Sequence, residues 1–370
     1  MKLSIPFKLR SWIIRTLVIA VVILLGWIFV RSLIQVGALP GIGATESQVT
    51  TPITGSTQQV FFMQAPGKDC ATVEQPVVQA MLQDLTLAQQ QVHIAMYSFT
   101  VDEVAEALVQ AKGRGIQVEL VMESDNMDSS AVKEMISAGI PIHGDEVNSL
   151  MHDKFLVIDG RITWTGSMNM TYASLCEDLN NMVRIEDPYL AANYDDEFSE
   201  MFDKGLFSWK SPKNSHTIPA VIDSHSLGVY FSPEDHVQQQ LLDLISIAQS
   251  SIEFLGYSFT ANALADALIE KSKQGVLVRG VMDAVQAGSN IGTEYDHFRQ
   301  AGLDVRLAST IGAMHDKVFI IDGVMVTVGS YNFTQSAEED NDENLLIIHN
   351  PDITNEYLVE FERIFATAKP

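Results

Sequence analysis

Cysteine is nearly absent from this chain: Cys70 and Cys176 are the only two. In separate segments they carry no zinc-ligand spacing. They either pair as one disulfide in an oxidising compartment or stand as two small core residues. Basic residues are scarce too, 23 Lys plus Arg against 47 Asp plus Glu, for a formal net charge of -24. Five of the 23 (Lys2, Lys8, Arg10, Arg15 and Arg31) precede the first acid, Glu46. The remainder carries 18 basic against 47 acidic residues, a balance of -29. A field of that sign repels polyanions and disfavours extended, sequence-blind binding of nucleic acid. It leaves room for a local basic slot. No convincing glycine loop of the nucleotide-phosphate kind is present.

What is plentiful is apolar residue, 46% against 19% charged, which supplies ample core. A length of 370 residues accommodates about two domain-sized units. Thr16 to Val30 is apolar apart from Thr16, extended by Trp12-Ile13-Ile14 and Ser32-Leu33-Ile34. About twenty such residues span hydrocarbon, and the basic residues before them place the N-terminus inside. Residues 1–36 therefore read as one N-terminal transmembrane anchor, or as a signal peptide cut near Ala38 or Ala44. Either reading puts the body outside the cytoplasm, membrane-anchored in the first case and secreted in the second. Residues 37–59, rich in Gly, Thr and Ser, read as a flexible linker.

Beyond the linker the chain repeats itself. Met151-His152-Asp153-Lys154-Phe155-Leu156-Val157-Ile158-Asp159-Gly160 returns as Met314-His315-Asp316-Lys317-Val318-Phe319-Ile320-Ile321-Asp322-Gly323. Each copy is followed by Gly-Ser-x-Asn, at Gly166 to Asn169 and Gly329 to Asn332. Tyr97-Ser98-Phe99-Thr100 likewise returns as Tyr257-Ser258-Phe259-Thr260, offset 160 against 163 at the histidines. That is a duplication with one small indel, giving halves 60–215 and 223–370 around a polar linker near Ser211 to Ser226. Each half alternates strands with helices, among them Val77 to Ala88, Asp102 to Lys112, Val237 to Ala248 and Asn262 to Lys273. A threonine, Thr100 or Thr260, is expected to cap the second helix of each half.

On a strand, residues two apart share a face, so His152 projects with Lys154 and His315 with Lys317. Asp159 and Asp322 lie seven positions after the His, an odd offset that turns them away to close the Asp-Gly turn. The runs Phe155 to Ile158 and Val318 to Ile321 are apolar on both faces and mark buried central strands. Cations fixed at the end of such a strand are costly without an anion to neutralise. Ser167, Asn169, Ser330 and Asn332 add neutral donors. The ligand so described is a phosphate.

Both segments resemble the His-x-Lys-x4-Asp signature of the phospholipase D superfamily, and the likeness runs in two halves from Val60 to Phe365. The second copy is especially similar to the bacterial endonuclease and mitochondrial cardiolipin hydrolase branch, through Gly329 to Thr334 and Asn341-Asp342-Glu343-Asn344. The resemblance implies an α/β fold of two similar halves, each a mixed sheet flanked by helices, with the active site at their interface. Such a chain is a monomeric pseudo-dimer. The chemistry implied is phosphodiester cleavage through a phosphohistidine, with no metal or other cofactor. His152 would be the nucleophile and His315 the acid. Lys154, Lys317, Asn169 and Asn332, with Ser167 and Ser330, would hold the phosphate oxygens, and Asp159 and Asp322 enter the catalytic set as signature members. Glu343 stands about 28 residues past its His, where the family keeps an orienting carboxylate. Asn180 holds that place in the first half, with Glu177 and Asp178 nearby as a shifted alternative.

Tyr97 and Tyr257 read first as core packing and second as pocket lining. His93, His143, His225, His236, His297 and His349 lack repeated partners and read as surface or structural. Glu338 to Asp342 reads as a solvated acidic loop. The function expected is a phospholipase D that hydrolyses phospholipid head groups beside a membrane. An exported nuclease and phosphatidyl transfer are the alternatives, the nuclease disfavoured by charge.

Overall fold

The computed structural model describes residues 58–67, 70–213, 220–222 and 225–370. The anchor or signal segment and the linker up to residue 57 lie outside the described residues. Among the described residues no helix is long and apolar enough to cross a membrane.

The first half runs β1 (Gln58–Gln64), α1 (Pro76–Leu87), β2 (Gln91–Met96), α2 (Asp102–Gly113), β3 (Gln117–Met122), α3 (Ser130–Ser137), β4 (Ile142–Gly144), β5 (Lys154–Ile158), β6 (Ile162–Gly166), α4 (Tyr172–Cys176), β7 (Leu179–Glu186) and α5 (Pro188–Lys204). The second runs β8 (Ala220–Ile222), β9 (His225–Ser232), α6 (Val237–Ile247), β10 (Ser251–Gly256), α7 (Asn262–Lys273), β11 (Leu277–Asp283), α8 (Ala284–Ser289), α9 (Tyr295–Gln300), β12 (Asp304–Ala308), β13 (Lys317–Ile321), β14 (Met325–Gly329), α10 (Gln335–Glu339), β15 (Glu343–His349) and α11 (Pro351–Thr367). The sheets have the same order, β1-β7-β6-β5-β2-β3-β4 and β12-β11-β10-β13-β14-β15-β9-β8, read in opposite directions. β2–β3–β4 and β10–β11–β12 are parallel and the other pairings antiparallel, so both sheets are mixed.

The apolar runs explain the layering. β5 and β13 are buried along their whole length because both faces of each sheet are covered. α1 to α3 close one outer core, and α6, α7 and α9 close the other. The third core lies between the sheets. There α5 packs on β2, β3, β5 and β6 and reaches β9, while α11 packs on β10 to β15 and reaches β1. Both middle helices begin with Pro at N1 after a capping side chain: Asp187 accepts from Leu190 N at 2.7 Å and Asn350 from Asp352 N at 3.0 Å.

Several expectations need correction. The threonine caps are one residue early: α2 and α7 start after Val101 and Ala261, without a side-chain cap. Thr100 N and Thr260 N instead bond Met170 O and Phe333 O. The short strands β4 and β12 were not anticipated; three to five residues give little periodicity to read. β8 and the start of β9 fall inside the stretch read as a polar linker, adding an eighth strand to the second sheet's edge. Of the two readings for cysteine, the disulfide holds: Cys70 and Cys176 are bonded, 106 residues apart.

Candidate active site

The two signature segments meet at the seam between the halves, and the meeting is crosswise. The backbone of His152 donates to Asp342 O at 2.9 Å, and that of His315 to Leu179 O at 2.8 Å. The residues opening β7 and β15 thus clip onto the segment ahead of the other half's His-Lys strand. Strand alternation then sends successive side chains to opposite sides. Glu343 reaches His152, its Oε2 2.7 Å from Nδ1, and Asn344 donates to Asp153 Oδ1 at 2.6 Å. In mirror fashion Asn180 Oδ1 lies 2.9 Å from His315 Nδ1, and Asn181 donates to Asp316 Oδ1 at 2.6 Å. The backbone O of Ser167 is also 3.1 Å from His315 Nδ1.

Both lysines lie within this seam. Lys154 and Lys317 are 0% and 1% exposed, yet among the described residues each ammonium makes one hydrogen bond, to His152 O and His315 O, both at 2.5 Å. An ammonium has three donors, so two remain on each. The amide oxygens of Asn169 and Asn332 are buried without a partner, the one such pair that repeats between halves among the described residues. Two buried ammonium groups with donors that the protein leaves unspent mark a place for an anion.

A family profile described as "Cardiolipin synthase, PLD-like domain" matches residues 81–202 and again residues 241–365. The chain belongs to the phospholipase D-like family. The mitochondrial cardiolipin hydrolase of Xenopus tropicalis is 36% identical over 139 residues, covering 37% of this chain and 64% of that protein. A phospholipase D of Rickettsia prowazekii is 27% identical over 161 residues, covering 44% of this chain and 78% of its own. The chain spans 56% of the corresponding Chlamydomonas reinhardtii cardiolipin hydrolase. In fold it is similar to the phosphatidylserine synthase of Haemophilus influenzae, with a TM-score of 0.64 at 13% identity, covering 83% of this chain and 86% of that one.

The phospholipase D-like site is electrostatically tense. Burial, then Lys154 and Lys317, hold the His152 imidazole well below its ordinary range; burial, Lys317, Lys154 and His152 do the same to His315. Burial brings both ammonium groups down to about 7 and raises the Glu343 carboxyl to about 7. An anion bound between them would offset the penalty, favouring the ammonium forms of Lys154 and Lys317.

Glu343 supports His152 across the seam, and Asn180, not a shifted Glu177 or Asp178, supports His315. Asp178 instead accepts from Ala313 N at 2.7 Å. Asp159 and Asp322 must leave the catalytic set. Asp159 accepts from the backbone N–H groups of Gln89, Gln90 and Gln91 (2.7–3.1 Å), and Asp322 from Gln249, Ser250 and Ser251 (2.7–3.1 Å). These are the turns before β2 and β10, at the end of each sheet remote from the histidines. Ser167 and Ser330 must leave the phosphate-binding set. Ser167 Oγ donates to Asn180 Oδ1 at 2.8 Å and accepts from Asn181 N, while Ser330 bonds Glu343 and accepts from Asn344 N at 3.0 Å. Their hydroxyls brace the histidine partners. The glycine before each serine is dictated by close approach: a Cβ on Gly166 or Gly329 would sit 2.2 Å from Asn181 O or Asn344 O.

Tyr97 and Tyr257 are half-buried and face the histidines, so the core reading gives way to pocket lining. They lie one residue past the last paired positions of β2 and β10. The sequence motifs assign no role to Asp153, Asp316, Asn181 or Asn344. The signal was there: an Asp after each His, and an Asn after each of Asn180 and Glu343.

The acidic loop also needs correction at one end, since Asp342 is 1% exposed. It joins Glu197 and Glu234 in a carboxyl cluster bridging α5 and the β9–α6 loop. Burial raises Asp342 and Glu197 well above the carboxylate range and Glu234 to about 8. A carboxyl whose folded pKa is raised favours folding below its unfolded pKa of 4.5 and loses that advantage as pH rises through about 8. Glu234→Gln should therefore leave thermal stability near wild type at pH 5 and raise it at pH 9. Melting temperatures at both pH values check this; a gain that does not grow with pH would refute it.

Proposed function

We propose that the chain is a phosphodiesterase that works through a phosphohistidine on His152 and acts as a phospholipase D on phospholipid head groups. The observation that carries the reading is the unequal pairing of the two imidazoles beside two unspent ammonium groups. With Nδ1–H held by Glu343, His152 presents Nε2 as a lone pair to phosphorus, and the carboxylate offsets the charge formed as the N–P bond is made. The P–O bond to the alcohol breaks as His315 Nε2–H passes its proton to the leaving oxygen. Water, giving its proton back to His315, then attacks phosphorus; the N–P bond breaks and phosphatidate departs. Lys154, Lys317, Asn169 and Asn332 hold the phosphate oxygens throughout. The two ammonium groups beside the imidazoles repel a metal cation, which supports a metal-independent course.

For the substrate, charge and lining support a lipid. A groove of about 690 Å³ beside the loop before His152 is lined by Val147, Leu150 and Trp209 among polar residues that include Lys210 and Asp340. A balance of -29 over the body disfavours a polyanion. The disulfide fits an oxidising compartment, and the apolar N-terminal run would tether the site at a membrane. The purified chain incubated with phosphatidylcholine, cardiolipin and single-stranded DNA, each with EDTA, tests this. Release of head group with EDTA present is the expected outcome. Cleavage of DNA alone would make it a nuclease, and product appearing only with an added acceptor alcohol would make it a transferase.

A further inference from the structure

Tyr97 and Tyr257 lie outside the signature, yet each touches both signature residues of its own half. The tyrosine and histidine rings meet edge to face, centroids 5.0 Å apart for Tyr97–His152 and 4.5 Å for Tyr257–His315. The same ring lies under the lysine, with Nζ 5.1 Å from the Tyr97 centroid for Lys154 and 4.6 Å from that of Tyr257 for Lys317. The backbone holds each ring in place, Tyr97 N donating to Asp153 O at 3.2 Å and Tyr257 N to Asp316 O at 3.0 Å. The same three-residue cluster is thus built twice from segments 160 residues apart.

We propose that Tyr97 and Tyr257 are positioning residues whose ring faces hold Lys154 and Lys317 as ammonium ions aimed at the phosphate. This rests on the phosphodiesterase reading and adds two residues to it. Each ammonium has lost nearly all of its hydration and keeps one hydrogen bond, to a neutral carbonyl. The negative face of an aromatic ring replaces part of the missing solvation, and counts for more where water is excluded. The charged groups facing the lysines are the opposing lysine, since Lys154 also lowers Lys317, Glu343 from β15, Asp153 and Asp316 from the strand starts, Asp178 from the α4–β7 loop, and the two imidazoles. Burial raises Asp153 to about 7 and Asp316 to about 6, which weakens them as counter-charges near neutrality. The ring faces supply a contact that does not depend on the charge state of those carboxyls. Without them the amines should deprotonate at lower pH, and phosphate binding should fail first on the alkaline side.

The test replaces each tyrosine by Phe, keeping the ring, and by Leu, removing it. Two quantities are followed from pH 5 to 9: turnover of bis(4-nitrophenyl) phosphate, and binding of inorganic phosphate by calorimetry. Phe variants should stay near wild type in both. Leu variants should bind phosphate about tenfold or more weakly at pH 7, with the alkaline limb of turnover moved to lower pH. Leu variants with wild-type phosphate affinity and limb, or Phe variants as impaired as Leu, would overturn the proposal; the second outcome would assign the role to the hydroxyl. Should a Leu variant fail to fold, phenylalanines of increasing fluorination at 97 weaken the ring face without changing its shape. Phosphate affinity that falls stepwise with fluorine count supports the proposal, and a flat series refutes it. Wild-type phosphate binding without wild-type turnover would count against the phosphodiesterase reading while leaving the ring–ammonium contact measurable.

Discussion

His152→Ala is expected to abolish turnover, lowering it by more than about 10⁴-fold, because on the proposed mechanism it removes the atom that accepts the phosphoryl group rather than one that assists it. His315→Ala should behave differently. It should lose roughly 10²- to 10⁴-fold with an alkyl alcohol as leaving group, the usual worth of a general acid. The first step should largely recover with 4-nitrophenolate, which departs without a proton, and show as a burst. Hydrolysis of the intermediate would still be slow, so phosphate should accumulate on His152 and be recoverable there by peptide mapping under alkaline conditions. Wild-type enzyme labelled on His315 instead would show that the two roles are reversed. The assignment predicts a bell-shaped pH dependence, since one imidazole must be neutral and its neighbour protonated at once.

The second large effect concerns the unequal side-chain partners of the two histidines. Glu343→Gln gives His152 the kind of partner that His315 already has in Asn180, keeping an acceptor for Nδ1–H and deleting only the charge. As His152 is phosphorylated its ring becomes cationic, and Glu343 is 2.7 Å away to offset that charge. Losing it should slow formation of the intermediate by about 10²-fold with little change in KM, since the effect is felt mainly in the transition state. Rapid-quench measurement of the phosphoenzyme checks this. A variant that phosphorylates at the wild-type rate would mean that the carboxylate only orients the ring. On the other side, in the proposed mechanism Asn180 serves an acid that must release its proton as well as hold it. A neutral amide fixes the His315 tautomer without binding that proton tightly.

Much of this was legible in the residues because the chain states its motif twice. A single His-x-Lys is weak evidence, whereas Gly166 to Asn169 returning as Gly329 to Asn332 at a fixed offset ties four chemical residue types to one pocket. Period-two alternation was enough to send Asp159 and Asp322 away from the histidines. Glu343 could be singled out by distance from its own His, although the His it serves belongs to the other half. The serines misled because a hydroxyl beside a phosphate socket looks like a phosphate donor. Only coordinates show that its proton already goes to Asn180 or Glu343. The cross-seam pairs of Asp153 with Asn344 and Asp316 with Asn181 were hidden for a related reason. Their sequence separations of 191 and 135 residues leave no periodic trace.

By itself, then, the sequence determined the duplication, the α/β alternation, the paired His-Lys strands and the need for an anion between them. These follow from local rules, in which strand period, burial of apolar runs and the cost of an uncompensated cation act over a few residues. Tertiary structure alone decided which partner each histidine receives, where the serine protons go, that the two cysteines bond, and that Tyr97 and Tyr257 lie under the lysines. Those are choices of direction made where two sheets meet. A hydrogen bond of 2.7 Å across a seam depends on how the halves dock, which no single strand encodes.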